Sequence, residues 1–220
     1  MVNINGVSNG FSGFHPISPT PNHQPSGLGK TAALERGTDS APSGETKIPF
    51  YEYEKEPWLT DPATKYGEIF YVSIKKIDEL LSLLSTHRTY EAFRADLFDA
   101  HPEMANKVFG FTLDRDASIR IIDRANNLSD SEKANLTELI NNYKSFKLDL
   151  QGHARTLMML VDHDWQAFGG RYKLTIENFQ TVIDFSTILK GDIGDMELEW
   201  IRQVEAGAGR LGGSSISEVV

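Results

Sequence analysis

The chain has no cysteine. Disulfides, thiolate metal sites and a cysteine nucleophile are therefore excluded. A chain without thiols is also suited to crossing compartments unfolded, because nothing can be trapped as a disulfide on the way. Acidic residues are missing from the first 34 positions, where Lys30 is the only basic residue. No stretch approaches the ~20 apolar residues of a membrane span; the longest aliphatic run, L-M-M-L-V at 157–161, is core-sized. The start lacks the charged segment and apolar block of a secretory signal peptide, so any export is expected to use another route. The charge that is present is acidic, −9 over 220 residues. Since the first 34 residues contribute +1, the remainder holds 21 basic against 31 acidic residues, or −10. Such a surface is repelled by nucleic-acid phosphates and by anionic membranes, which argues against both as partners. The apolar fraction of 40% fits one folded domain with unfolded tails.

Residues 1–47 are rich in Ser, Asn, Gly and Pro (N-I-N-G-V-S-N-G-F-S-G-F-H-P-I-S-P-T-P). Repeated Pro and Gly break helix and strand alike, and too little apolar surface is available to offset the entropy of ordering, so this leader is expected to be disordered. Residues 206–220 (A-G-A-G-R-L-G-G-S-S-I-S-E-V-V) read as a flexible tail. The leader resembles the secretion signals of type III substrates of plant-associated bacteria. Ile4, the series Ser8, Ser12, Ser18 and Ser26, and the first acid at Glu35 carry that resemblance. It implies a protein exported by the type III route and held in the bacterial cytoplasm before export. The acidic, Cys-free composition is shared with harpins, from which the aromatic-rich core departs.

Residues 48–205 read as a mostly α domain. Residues 49–62 alternate aromatics with acids, as expected of an extended arm laying Phe50, Tyr51 and Trp58 onto the domain. Ser73 is placed to cap a helix with Ile74, Ile77, Leu80, Leu81 and Leu84 at helical spacing, and Thr89 to start another with Phe93, Leu97 and Phe98 facing inward. Pro102 suits the first turn of a short third helix. S-D-S-E at 129–132 is a capping box, continued by Leu136, Leu139, Ile140 and Tyr143. Gly152 marks a bend, followed by an apolar helix through Leu157, Met158, Leu160, Val161 and Trp165. Thr175 caps the next helix and Asp195 the last. The Met and aromatic stripes read as core.

Residues 112–123 (T-L-D-R-D-A-S-I-R-I-I-D) resemble an EF-hand calcium loop that has lost some ligands. Asp114 and Asp116 occupy the third and fifth slots, Ile119 the apolar slot and Asp123 the last, while Thr112 and Ala117 replace the expected Asp and Gly. A second, longer stretch, 161–179, has the exit of such a loop in Leu174, Asn178 and Phe179, with Asp162 and Asp164 as an acidic entry. The resemblance implies two helix-loop-helix modules joined by a short β-bridge between Ile119 and Leu174. It makes Asp114, Asp116, Asp123, Asp162, Asp164 and Asn178 the candidate metal ligands, with calcium as the ion. Calcium wants six to eight oxygens, and the first loop offers three carboxylates at most. The other reading of that loop is a turn whose Asp114 and Asp116 are solvated turn formers.

His153, Asp162, His163 and Asp164 also invite a transition-metal reading, but two His ten residues apart on a helix are turned about 80° from one another. Solvent-facing or hydrogen-bonded His is preferred. Gly169-Gly170 is a turn without the following Lys-Ser/Thr of a phosphate loop, and no His-Glu-x-x-His is present. With no catalytic constellation visible, the expectation is a secreted bacterial protein, an effector or translocation accessory. It would act by binding a protein, either a host target or a secretion chaperone or apparatus, and not by catalysis. The alternative is an intracellular calcium-responsive regulator.

Overall fold

A computed structural model describes residues 49–62 and 67–210. The leader and residues 211–220 of the tail lie outside the described residues, as do the expectations placed on them.

The described chain is mostly helical, as expected. The arm carries a one-turn helix, α1 (Pro57–Thr60), with proline at its start. Phe50, Tyr51 and Trp58 are half-buried against the core, as their alternation with acids predicts. Next comes α2 (Glu68–Ala100), a single helix of 33 residues where two were expected. Ser73 and Thr89 do not cap. Their hydroxyls donate backward to the carbonyls of Ile69 (2.8 Å) and Ser85 (3.0 Å), one turn earlier in the same helix. No Gly or Pro interrupts residues 68–100, so nothing stops propagation. The buried face of α2 holds Tyr71, Val72, Leu83, Tyr90, Phe93 and Leu97, so Phe93 and Leu97 face inward as expected; Phe98, expected inward with them, points outward, as do Ile77, Leu80, Leu81 and Leu84 of the helically spaced stripe.

Pro102 opens α3 (Pro102–Ala105) as expected. Strands β1 (Gly110–Leu113) and β2 (Ile119–Ile122) then form an antiparallel hairpin. The 129–132 capping box starts α4 (Asp130–Asn142): Ser129 Oγ accepts from Glu132 N and Glu132 Oε2 accepts from Ser129 N (2.9 Å). Helix α5 (Lys144–His163) continues through Gly152 without a break. A glycine inside a helix costs about 1 kcal/mol, which the fully buried Phe146, Leu150, Leu157 and Met158 of this helix outweigh.

The remaining elements are α6 (Trp165–Phe168), β3 (Tyr172–Lys173), α7 (Ile176–Val182), α8 (Phe185–Ile188), α9 (Ile193–Gly207) and β4 (Gly209–Arg210). Thr175 and Asn178 form the second capping box. The last long helix is capped by Asp192, whose side chain accepts from Asp195 N, three residues ahead of the expected cap. α2 and α5 pack along each other, and the hairpin lies on α8 and α7 through β1 and on α4 through β2. The centre is aromatic: Phe93 stacks on Phe146 at 6.1 Å, Tyr90 reaches Phe111 at 5.0 Å, and Phe111 continues through Phe185 to Phe179. Among the described residues no helix is long and apolar enough to cross a membrane.

Candidate functional site

The 112–123 segment takes the form of a hairpin turn. Asp114 N donates to Ser118 O and Ala117 N donates to Asp114 O, both at 2.8 Å, with Ala117 in the left-handed region at φ 61°. That is the three-residue hairpin pattern, a type I turn closed by a residue in αL. Its acids serve the turn one by one. Asp114 Oδ1 accepts from Arg115 N (2.9 Å), and Asp116 Oδ1 accepts from Ser118 N (2.9 Å) and Ser118 Oγ (2.6 Å). The Ser118 bonds hold the Asp116 carboxyl below its ordinary range. Asp123 turns instead to its own following loop, accepting from Asn127 N and Leu128 N.

The expected bridge between Ile119 and Leu174 is corrected. Ile119 pairs with Leu113 across the hairpin, and β3 pairs with β4. The outer edge of Ile119 is already taken by Asn141, whose amide accepts from Ile119 N (2.9 Å) and donates to Ile119 O (2.7 Å). One side chain on α4 thus satisfies both backbone groups that a bridging strand would use.

In the second stretch, Asp162 Oδ2 accepts from Tyr51 Oη at 2.8 Å. Asp164 is buried, holds Lys76 Nζ at 2.7 Å and caps α6 by accepting from Ala167 N. Asn178 completes its capping box by accepting from Thr175 N and donating to Lys173 O, both at 2.8 Å. Each of the six sequence-flagged groups has its own local partner. Among the described residues no three His, Asp or Glu gather around one point as metal ligands.

The structure does bring parts of the two stretches to one place. A cleft of about 1210 Å³ lies between the arm at 49–53, the hairpin turn at 115–117, one side of α5 and the segment 165–177. Gln151 ties two of its walls together, donating from Nε2 to Ala117 O at 2.7 Å. On the arm side, the Arg155 guanidinium sits 5.0 Å from the Phe50 ring centre and Tyr51 bonds Asp162. Burial, reinforced by the neighbouring carboxylate, raises the Tyr51 phenol far above its usual range. Burial also raises the Asp162 carboxyl, an effect the Tyr51 bond opposes. Asp162 is thus a carboxyl in a half-dry wall with one donor already in place. Phe50 and Ile176, both half-buried, supply apolar surface over a floor that rests on the buried Met158, Val161 and Leu174, and Arg115, Lys173, Asp116 and Glu177 place both signs of charge at the rim. The Glu177 carboxyl is held low by the Thr175 hydroxyl.

Trp165 was expected inside a helix and is 64% exposed, lining this cleft. Its ring lies over Gly170, where a Cβ would come within 2.8 Å of Trp165 Cη2, and Gly170 has φ +63°. Both space and backbone require glycine there.

Neither histidine faces solvent. His163 is buried in a ring cage, stacked on Tyr53 at 5.5 Å with Trp58 and Tyr71 edge-on at 6.1 Å, and burial lowers its pKa. His153 is fully buried, with Nδ1 3.0 Å from Ser82 Oγ and 4.0 Å from Glu79 Oε1. Ser, His and Glu together suggest a hydrolytic triad, but the geometry is different. Both partners face the same ring nitrogen, Nε2 has no partner, and His153 and Glu79 are buried. Sequence reading missed Glu79, Asn141 and Gln151 as organising residues. Each works through a long-range contact that leaves no local spacing pattern.

Comparison with protein-family models, with curated proteins and with solved structures finds no match to this chain.

Proposed function

We propose that the chain acts by binding a partner protein, and that the cleft receives an extended segment of that partner. The observation that carries this reading is Trp165, a large aromatic held over a glycine at the mouth of an open groove whose far wall is a pinned aromatic arm. Exposed rigid aromatics backed by a mostly apolar concavity are the usual anchors of protein recognition. The mixed rim charges suit peptide backbone and charged side chains better than a phosphate polyanion. The partner is a host target or a component of the secretion route, with residues 1–47 as the export signal. The acid-free, Ser-rich leader and the absence of cysteine support that assignment.

Selection of a displayed peptide library on the whole chain tests the binding half. Enriched peptides are expected to shift NMR signals of residues around 115–117 and 165–177, and Trp165→Ala is expected to weaken them about tenfold. Failure to enrich, or shifts confined elsewhere, ends the reading. The export half is tested separately by fusing residues 1–50 to a reporter in a type III-competent strain; absence of export that depends on the apparatus rejects it.

A further inference from the structure

The outward face of α2 between 77 and 84 reads I-x-x-L-L-x-x-L. Ile77, Leu80, Leu81 and Leu84 are 59, 37, 60 and 47% exposed, and Ile69 extends the stripe at 76%. Four large aliphatic residues at i, i+3, i+4 and i+7 form one helical face, and here it is turned to solvent. Four polar side chains near the face are already partnered within the chain. Ser73 Oγ donates to Ile69 O (2.8 Å), Ser85 Oγ to Asp149 Oδ2 (2.9 Å), Lys76 Nζ pairs with Asp164 (2.7 Å) and Lys75 Nζ with Asp78 (3.0 Å). Covering the face leaves these four groups satisfied, and the exposed Arg88 can keep its guanidinium in solvent at the rim.

We infer that this face is the dimer interface of the protein, and that its occupant is a second copy of the same face in antiparallel orientation. The spacing i, i+3, i+4, i+7 is its own reverse. A two-fold axis between Leu80 and Leu81 sets Ile77 against Leu84 of the second copy and Leu80 against its Leu81, the self-complementarity that an isologous interface requires. The area also fits. The five side chains expose roughly 500 Å² per copy, so a pair removes about 1,000 Å², and the aliphatic stems of Lys76 and Arg88 carry it toward the ~1,200 Å² of the smallest specific interfaces. An interface of that size gives a reversible dimer in the micromolar range. The inference stands apart from the cleft, which uses other residues.

Sedimentation equilibrium of the full chain from about 1 to about 200 μM tests it. The expected result is a reversible rise from the 24.6 kDa chain mass toward twice that value. Leu81→Glu is expected to weaken association at least tenfold with an unchanged circular dichroism spectrum, and Val108→Glu, on an exposed residue outside the stripe, to leave it unchanged. Because the chain has no cysteine, Leu81→Cys supplies an independent readout that does not depend on a disruptive charge. Residue 81 lies beside the axis, so this variant is expected to form a disulfide-linked dimer under mild oxidation, while Val108→Cys does not. A chain that stays monomeric across the range overturns the inference. So does a dimer that Leu81→Glu leaves intact, or a Leu81→Cys variant that crosslinks no faster than Val108→Cys.

Discussion

Glu79 and His153 meet in the interior between α2 and α5, each nearly or wholly sealed from solvent, with Glu79 Oε1, His153 Nε2 and the nearby Trp200 Nε1 all lacking a hydrogen-bond partner. Such atoms are costly to bury, and the cost is least when both groups are neutral. Burial, with help from Glu197 and opposed by the neighbouring Trp200 indole, pushes the Glu79 carboxyl up to about 7, and burial pushes the His153 ring down to about 3. The two act in opposite senses on stability. A raised carboxyl pKa means that the fold holds a proton the unfolded chain gives up, so stability falls as pH rises from about 4.5 to about 7. A depressed His pKa means that the unfolded chain takes a proton the fold refuses, so stability falls as pH drops from 6.5 toward 3. Between about 4.5 and 6.5 the slopes offset each other, and stability should be nearly flat with pH. Glu79→Gln removes only the first effect. Urea melts of this variant should show a stability that rises steadily from pH 4.5 to 6.5 and exceeds wild type at pH 8 by about 3 kcal/mol. Equal pH profiles for the two proteins would show that Glu79 does not hold its proton in the fold. At the cleft, Gly170→Ala combines a left-handed backbone with a collision against Trp165. It should cost about 1–2 kcal/mol and blue- or red-shift the tryptophan emission, readable by melts and fluorescence on one sample.

At the scale of elements, the features legible in advance were those that close within four residues. The Ser129 capping box, the Thr175 cap and the proline at the start of α3 needed nothing beyond neighbouring residues, and they stand where the local pattern puts them; Asn178, read as a metal ligand, instead completes the box with Thr175. Ser129→Ala should destabilise the protein by about 1 kcal/mol, measured by urea unfolding, since Glu132 N loses its acceptor at the start of α4 while Ser129 N keeps Glu132 Oε2. Ser73 and Thr89 show why the same logic misleads. A hydroxyl that can cap a new helix can equally bond back into a continuing one, and only the uninterrupted packing of α2 along α5 selects the second use. The arm depends on a contact of the same long-range kind. Tyr51→Phe leaves the Asp162 carboxyl without its donor, and a loss of about 1–2 kcal/mol is expected, together with faster proteolysis before Pro57. An unchanged cleavage rate would show that Phe50 and Trp58 alone hold the arm.

Over the whole molecule, the five acids and Asn178 read as ligands of two calcium loops are spread among separate tasks: a turn, a loop cap, an arm tether, an ion pair and a capping box. An ion binding only the folded state raises its stability in proportion to occupancy. Millimolar calcium should therefore leave the melting midpoint within about 1 °C of its metal-free value, and a calorimetric titration should show only dilution heat. A larger upward shift would restore the calcium-responsive reading. Spacing alone could identify 112–123 as a turn rich in carboxylates. It could not tell a calcium loop from a hairpin, because the difference lies in whether those carboxylates converge, and convergence depends on the path of the flanking chain.

The amino-acid order by itself determined the helical class, two helix caps, the half-buried aromatic arm and the absence of thiol chemistry, because each follows from composition or from contacts only a few residues long. Tertiary structure decided which side of α2 meets the core, what covers the edge of Ile119, and that Trp165 stands at the mouth of a cleft. An apolar stripe with the helical period is equally good facing inward or outward until something packs against it. For Glu79, Tyr90 and Leu83 that something is α5 and the elements around it, and Ile77, Leu80, Leu81 and Leu84 are left on the exposed side of the same helix.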